Sequence, residues 1–338
     1  MSENRNIAVY GAYGHTGKFV VAELVKRGIS PILAGRDLQK LEKLRECYPN
    51  LEIRSALIDD ADSLDTALTD ASAVINCAGP FLDTGNDLIE AAIRNRVNYF
   101  DIAAEQMAVL TAFEKYADAA QKAEIVVMPA VAFYGGLADL LATVAVGDWT
   151  KTDKIEIFTA LDSWHPTEGT RLTGERNTFK RYVFTNGELQ FLDEPLKQNR
   201  NFAEPFGKQE MLEVPLTETI TISRHLPVKE VRHYLNLRSL NDLRNPDTPP
   251  PQFDESGRSP QIFLMEAVAR QVANERRATA SGRDIYHITA PLVAEAVKRI
   301  FKSPKNITGV VTVAEFLNAA DFLESLSPEY LLLETDKS

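Results

Sequence analysis

The 338 residues contain only two cysteines, five histidines and two tryptophans. Cys47 and Cys77 have neither metal-ligand spacing nor the density of a disulfide framework, so they read as free thiols of a reducing compartment. Basic charge is also short. Thirty-seven Lys and Arg stand against 48 Asp and Glu, a formal net charge of -11. That argues against a nucleic-acid footprint, which would need a basic face, though not against a local basic pocket. No apolar run approaches the roughly 18 residues that suggest a membrane span. Met1–Asn6 is polar and lacks the apolar core of a signal peptide, so a cytoplasmic location is expected. No His/Cys/carboxylate cluster suggests a metal, and no Gly-x-Ser-x-Gly nucleophile elbow occurs. Chemistry at thiol, metal or serine centres is therefore not expected.

What is present is a regular alternation. Short apolar runs at 6–11, 30–35, 51–58, 72–78, 98–103 and 124–128 read as buried parallel strands. Segments of helical spacing lie between them, at 16–27, 38–48, 62–69, 86–95 and 107–122, with a further helix at 136–146. Strand–helix alternation over about 150 residues implies a doubly wound parallel sheet. After Trp149 the pattern changes. Lys154–Leu161 alternates like a half-exposed strand, Asn186–Gly187 is a hairpin turn signal, and Glu218–Ser223 and Glu230–Leu237 look like strands. Asn245–Pro251 is a proline-rich loop. Gln261–Arg277, Pro291–Phe301 and Ala314–Leu326 read as helices, with a possible strand at Gly309–Val313. The expected organisation is an α/β protein. A Rossmann domain at 1–150 is followed at 151–260 by a second α+β domain on a mainly antiparallel sheet. C-terminal helices at 261–338 pack back between the two.

The first turn carries the chemistry. In Gly11–Ala12–Tyr13–Gly14–His15–Thr16–Gly17, the first glycine permits the tight turn and the second lets the backbone approach a pyrophosphate. The third lets the helix pack closely on the sheet. Free amides at the helix start then face the anion, with Thr16 placed to add a hydroxyl. The run follows a strand and opens a helix, the context that gives a glycine pattern meaning. Strand two ends in Gly35–Arg36–Asp37. Arg36 suits a 2′-phosphate and can stack on adenine, and Lys40 reaches the same group. Asp37 is the residue that would serve NAD instead. The expected cofactor is NADP. Asp59 or Asp60 either accepts the adenine amino group or caps the next helix. Cys77, Ala78, Gly79 and Pro80, at the end of strand four, would line the ribose and nicotinamide side.

These residues resemble the saccharopine dehydrogenase-like NADP-binding family. The resemblance lies in the glycine turn, in Ala34–Gly35–Arg36–Asp37 with Lys40–Leu41, in Cys77–Ala78–Gly79–Pro80–Phe81, and in Asn98–Tyr99–Phe100–Asp101–Ile102–Ala103–Ala104–Glu105. It covers about the first 140 residues. Ala104 replaces the family's glycine. Phe133–Tyr134–Gly135–Gly136–Leu137–Ala138–Asp139–Leu140 keeps the final Asp-Leu of a Phe-Asp-Ser-x-Pro-x-Asp-Leu segment and loses its Asp-Ser pair. The resemblance implies NADP-linked redox chemistry on a C=N, C=O or C=C bond of a small metabolite, without specifying which. The alternative is a non-catalytic NADP(H)-binding sensor or partner protein.

Hydride transfer belongs to the nicotinamide, so the chain need only position a substrate and manage one proton. Candidates for the proton are Tyr134, in a glycine turn that could admit a ligand, and Asp101 with Glu105, either a carboxylate pair or holders of a helix start. Tyr99 lies beside them. His165, following Trp164 in the second domain, is a candidate general acid. Arg171, Arg176 and Arg181 could bind a carboxylate, and Lys180 and His225 lie on the same stretch. By analogy with similar antiparallel domains, a homodimer is expected.

Overall fold

The computed structural model describes residues 6–303 and 307–336. Strands β1 (Ile7–Tyr10), β2 (Ile32–Gly35), β3 (Ile53–Ser55), β4 (Ala73–Asn76), β5 (Asn98–Asp101) and β6 (Val126–Met128) are short, and all but β3 are almost wholly buried. They pair in parallel in the order β6-β5-β4-β1-β2-β3. The order reverses between β1 and β4, the crevice where such sheets take their ligands. Register aligns Tyr10 with Ala34 and with Asn76, and Asn76 with Asp101. The loops after these strands therefore leave one edge of the sheet together.

Successive side chains in a strand point to opposite faces, and the two faces bury different helices. Ala8, Tyr10, Ile32, Ala34, Val74 and Tyr99 pack with α3 (Ala61–Leu68), α4 (Phe81–Asn95) and α5 (Gln106–Lys122). Ile7, Val9, Leu33, Ile75, Phe100 and Met128 face α1 (His15–Lys26), α2 (Leu38–Cys47) and α6 (Ala138–Val146). A π-helical turn, Phe133–Leu137, precedes α6.

The second sheet is built on β7 (Thr152–Leu161). Around it lie the hairpin β8 (Tyr182–Thr185) and β9 (Glu188–Phe191), then β10 (Lys197–Asn201), β11 (Lys208–Glu213) and β12 (Val228–Asn236). The chain contributes α7 (Glu168–Arg176), α8 (Glu218–His225) and α9 (Leu237–Arg244) on the way. β13 (Ile262–Gln271) and β14 (Asn274–Arg283) complete the centre, and β16 (Leu331–Thr335) forms an edge. Only β7 and β12 run parallel; the other pairs are antiparallel.

Residues 261–338 differ from the expected bundle of C-terminal helices. Gln261–Arg277 forms β13 and the start of β14, not a helix. β13 lies between β7 and β14 with Phe263–Ala269 buried, and a strand buried on both faces loses the alternation that would distinguish it from a helix. Glu218–Ser223 is helical, not extended, despite its β-branched run Thr219–Ile222; Ile220 and Ile222 are both fully buried there. The single helix expected at Ala314–Leu326 is two, α11 (Val313–Phe316) and α12 (Ala319–Glu324), broken where Asn318 caps α12 by accepting from the Asp321 amide at 3.1 Å. α10 (Ile285–Lys302) packs along α1, and the short β15 (Gly309–Val310) joins the first sheet beside β6. One apolar core runs from Ile7 and Val9 through α6 and α10 to Ile157, Val231 and Met265, so both sheets share it. Among the described residues no helix is long and apolar enough to cross a membrane.

Candidate active site at the crevice and domain seam

Gly11 ends β1 with φ +81°. A Cβ on it would lie 2.9 Å from Ala78, so the loops after β1 and β4 touch only because this residue has no side chain. A Cβ on Gly17 would lie 2.2 Å from the Gly11 carbonyl oxygen, which leaves glycine as the sole fit. Gly14 is the N-cap of α1, and no side chain caps that helix. Its first amides are therefore open to an anion. Thr16 is half-buried in that first turn. His15 keeps Nε2 buried and without a partner among the described residues, and burial holds its pKa below the ordinary value. This cradle and its unmet polar groups fit a pyrophosphate.

At the end of β2 the ring of Tyr13 lies against Gly35, where a Cβ would come within 2.8 Å of it. The Tyr13 hydroxyl accepts from the Asp37 amide at 3.3 Å. Asp37 is the N-cap of α2, accepting from the Lys40 amide at 3.1 Å, with the Lys40 ammonium 3.7 Å from its carboxylate. Its carboxylate is thus committed to the helix, away from the role an NAD site would give it. Arg36 is exposed with no ion-pair partner among the described residues. Asp60 caps α3 by accepting from the Ser63 amide at 3.2 Å, while Asp59 stays exposed.

The Cys77–Phe81 loop is pinned from below. The Ala78 amide donates to Asn76 Oδ1 at 3.0 Å, Thr84 Oγ1 donates to the Ala78 carbonyl at 2.6 Å, and the Phe81 amide donates to Glu105 Oε1 at 2.8 Å. Burial and the nearby Asp101 carboxylate push the Cys77 thiol well up, so it stays protonated. Asp101 accepts from the amides of Ala103 (3.0 Å) and Ala130 (2.7 Å) and from the Tyr99 hydroxyl (2.9 Å). Glu105 also accepts from the Ala104 amide at 3.1 Å. Burial raises the pKa of both carboxyls against these bonds. Asp101 and Glu105 thus brace the loops after β4, β5 and β6, and do not form an open carboxylate pair.

Tyr134 is different. It is 8% exposed, its hydroxyl is buried without a hydrogen-bond partner among the described residues, and burial raises its pKa well above the ordinary value. Its ring lies 5.7 Å from Trp164 and 5.9 Å from His233. Trp164 Nε1 donates to the Tyr286 hydroxyl at 3.2 Å, and the Tyr286 ring lies 5.1 Å from His15. A row of rings therefore links the glycine turn to Tyr134. Beyond it, His233 Nδ1 is 2.7 Å from Glu218 Oε1, and His233 Nε2 is 3.0 Å from Thr159 Oγ1. Glu218 Oε2 and Thr217 Oγ1 are also buried and unpartnered. Natural proteins keep such groups rarely, and then for a reason.

The sequence reading missed Glu218, His233 and Tyr286. His233 left a signal, a histidine in the alternating run of β12. Glu218 left none, because its segment read as a strand. The other second-domain candidates are occupied. His165 Nδ1 donates to the Pro249 carbonyl at 3.1 Å, and Arg171 to the Thr248 carbonyl at 2.8 Å. Arg176 pairs with Asp83 at 2.7 Å, and Arg181 donates to the Pro215 carbonyl at 2.8 Å. The Lys180 ammonium sits 5.8 Å from the centre of the Phe191 ring, and His225 lies 2.7 Å from Asp139.

A switch-point crevice with an uncapped, glycine-built helix start defines a dinucleotide-binding Rossmann protein with a second sheet domain. Residues 7–128 match the family model of the saccharopine dehydrogenase NADP binding domain, so the chain carries an NADP-binding domain of that family. Among curated proteins it is 32% identical over 150 residues to a lipid droplet localized protein of Caenorhabditis elegans, covering 40% of this chain and 34% of that one. It is 27% identical over 213 residues to a probable mitochondrial saccharopine dehydrogenase-like oxidoreductase of Arabidopsis thaliana, covering 58% and 46%. The matched region is thus less than half the length of either relative. Among solved structures, apo saccharopine dehydrogenase (L-Glu forming) from Saccharomyces cerevisiae superposes with a TM-score of 0.67 at 12% identity, over 98% of this chain and 100% of that one. At that identity the likeness is one of fold, and it extends through both domains.

Proposed function

We propose that this protein is an NADP(H)-dependent oxidoreductase that reduces or oxidises a C=N, C=O or C=C bond of a small metabolite, with Tyr134 managing the proton. The carrying observation is the Tyr134 hydroxyl, buried and unpartnered at the seam, on the row of rings that begins at the glycine turn. Gly11, Gly14, Gly17 and Thr16 would hold the pyrophosphate, Arg36 and Lys40 the 2′-phosphate, and Ala78, Gly79 and Pro80 the nicotinamide side. The bound nicotinamide supplies or accepts the hydride. Tyr134, held neutral by burial, keeps its proton until a substrate heteroatom accepts it. The Glu218–His233 pair stands beside it as the nearby polar reserve. Asp101, Glu105 and His165 have no part in this reading beyond bracing.

The test follows NADPH absorbance with a panel of small imines, ketones and enones, for the native protein and for Tyr134→Phe. The variant should lose turnover by a factor of about 100 or more while NADPH affinity is unchanged. It should also be more stable by about 1 kcal/mol, because a buried hydroxyl without a partner is removed. Turnover that survives in Tyr134→Phe would overturn the assignment. Tight NADPH binding with no turnover of any probe would favour the non-catalytic sensor.

A further inference from the structure

Residues 245–261 run from α9 to β13 without regular structure. Connections this long in a compact fold are usually functional. Both ends are fastened to the second domain. Arg171 donates to the carbonyls of Asn245 (3.3 Å) and Thr248 (2.8 Å), and His165 to that of Pro249 (3.1 Å). At the far end Asp254 pairs with Arg283 at 2.5 Å, and the Ser259 amide donates to Asp284 at 2.7 Å.

The middle of the segment leans instead on the first domain, through rings. Phe253, 48% exposed, lies 5.0 Å from the His15 ring. A Cβ on Gly257 would lie 3.8 Å from the Phe19 ring. Phe19 and Tyr286 each lie 5.1 Å from His15, so three rings from three segments box the histidine of the glycine turn. His15 Nε2, buried and unpartnered, is left inside the box. On the other side of the crevice α7, which has no buried residue, covers the β4 loop. Thr173 Oγ1 lies 3.2 Å from where a Cβ of Gly79 would be, and Arg176 reaches Asp83. The second domain therefore overlies both loops that flank the nucleotide crevice.

We propose that residues 245–258 are a strap that shuts the dinucleotide into the crevice, with Phe253 as its latch and His15 as the seat. The strap is tethered to the second domain on either side of Phe253, and its contacts with the first domain, at Phe253 and Gly257, are made to rings, which a modest free energy can break and remake. Its lifting limits nucleotide release, and ligand oxygen under the closed strap satisfies His15 Nε2. This inference rests on the NADP reading above.

The experiment measures NADPH release by stopped-flow fluorescence, chasing with excess NADP, for the full chain and for Phe253→Ala and Phe253→Tyr. Phe253→Ala should release NADPH about tenfold faster with little change in association rate, and Phe253→Tyr should restore the native rate. Because Phe253 is half-exposed, its loss leaves the core intact. In parallel, NADPH should slow tryptic cleavage after Arg258 several-fold in the native protein and much less in Phe253→Ala. If NADPH binds but neither release nor cleavage responds to Phe253, the strap is overturned and the cofactor reading stands. If NADPH does not bind the native protein, both fall together.

Discussion

Two neighbouring residues at the end of β2 show how one position can be informative while the next misleads. Asp37 sits where an acidic residue would select NAD, yet its carboxylate caps α2 and the Tyr13 hydroxyl takes its backbone amide. Arg36 is exposed and has no ion-pair partner among the described residues, which supports the proposal that it meets a 2′-phosphate. Arg36→Ala should weaken NADPH binding about 10- to 100-fold, the loss of a charge-assisted contact, and leave NADH affinity unchanged; fluorescence titration of both nucleotides measures the split. Asp101 and Glu105 teach the reverse. Acids at the carboxyl end of a parallel strand look catalytic, but here backbone amides and the Tyr99 hydroxyl occupy their oxygens. A sequence shows which side chains could react. It does not show which loop amides will use them first.

Among elements, the parallel strands and their crossover helices were legible because each is short, apolar and punctuated by a glycine or a cap. The errors fall where two signals conflict. β13 and β14 are rich in Ala, Glu and Arg, good helix formers, and their neighbours in the sheet override that preference. α8 carries Thr219–Ile222, good strand formers, and buried Ile220 and Ile222 override it in turn. β13 is an interior strand of the second sheet, and Met265, fully buried between β7 and β14, is a core anchor. Met265→Ala should lower stability by about 3 kcal/mol in denaturant unfolding. A surface helix over 261–277 would lose far less.

At the scale of the molecule, the two sheets are joined by a shared core and by polar contacts, among them Gln106 donating to the Tyr182 and Leu216 carbonyls and a histidine–carboxylate pair. His225, at the end of α8, lies 2.7 Å from Asp139 at the start of α6, whose other oxygen receives the Ala314 amide at 3.4 Å. Burial pulls the His225 pKa down, but the Asp139 carboxylate outweighs it and holds the imidazole above its ordinary value. A raised folded-state pKa stabilises fully below the unfolded value, near 6.5, and the contribution fades as pH rises through the folded value. Unfolding free energy should therefore fall as pH rises above about 6.5. His225→Gln should flatten that slope and cost about 3 kcal/mol at pH 6, as loss of one partner of a buried pair does. Denaturant titrations at several pH values measure both. The sequence by itself determined the Rossmann half, the glycine cradle and the match to an NADP-binding domain, because these depend on local backbone freedom, strand–helix period and a few residues at strand ends. Only the tertiary structure decided that the C-terminal third enters both sheets, that Asp101 and Glu105 are braces, and that Tyr134 meets Trp164 and His233. Those facts depend on which distant segments share a sheet edge or a seam, and no periodicity along the chain encodes that.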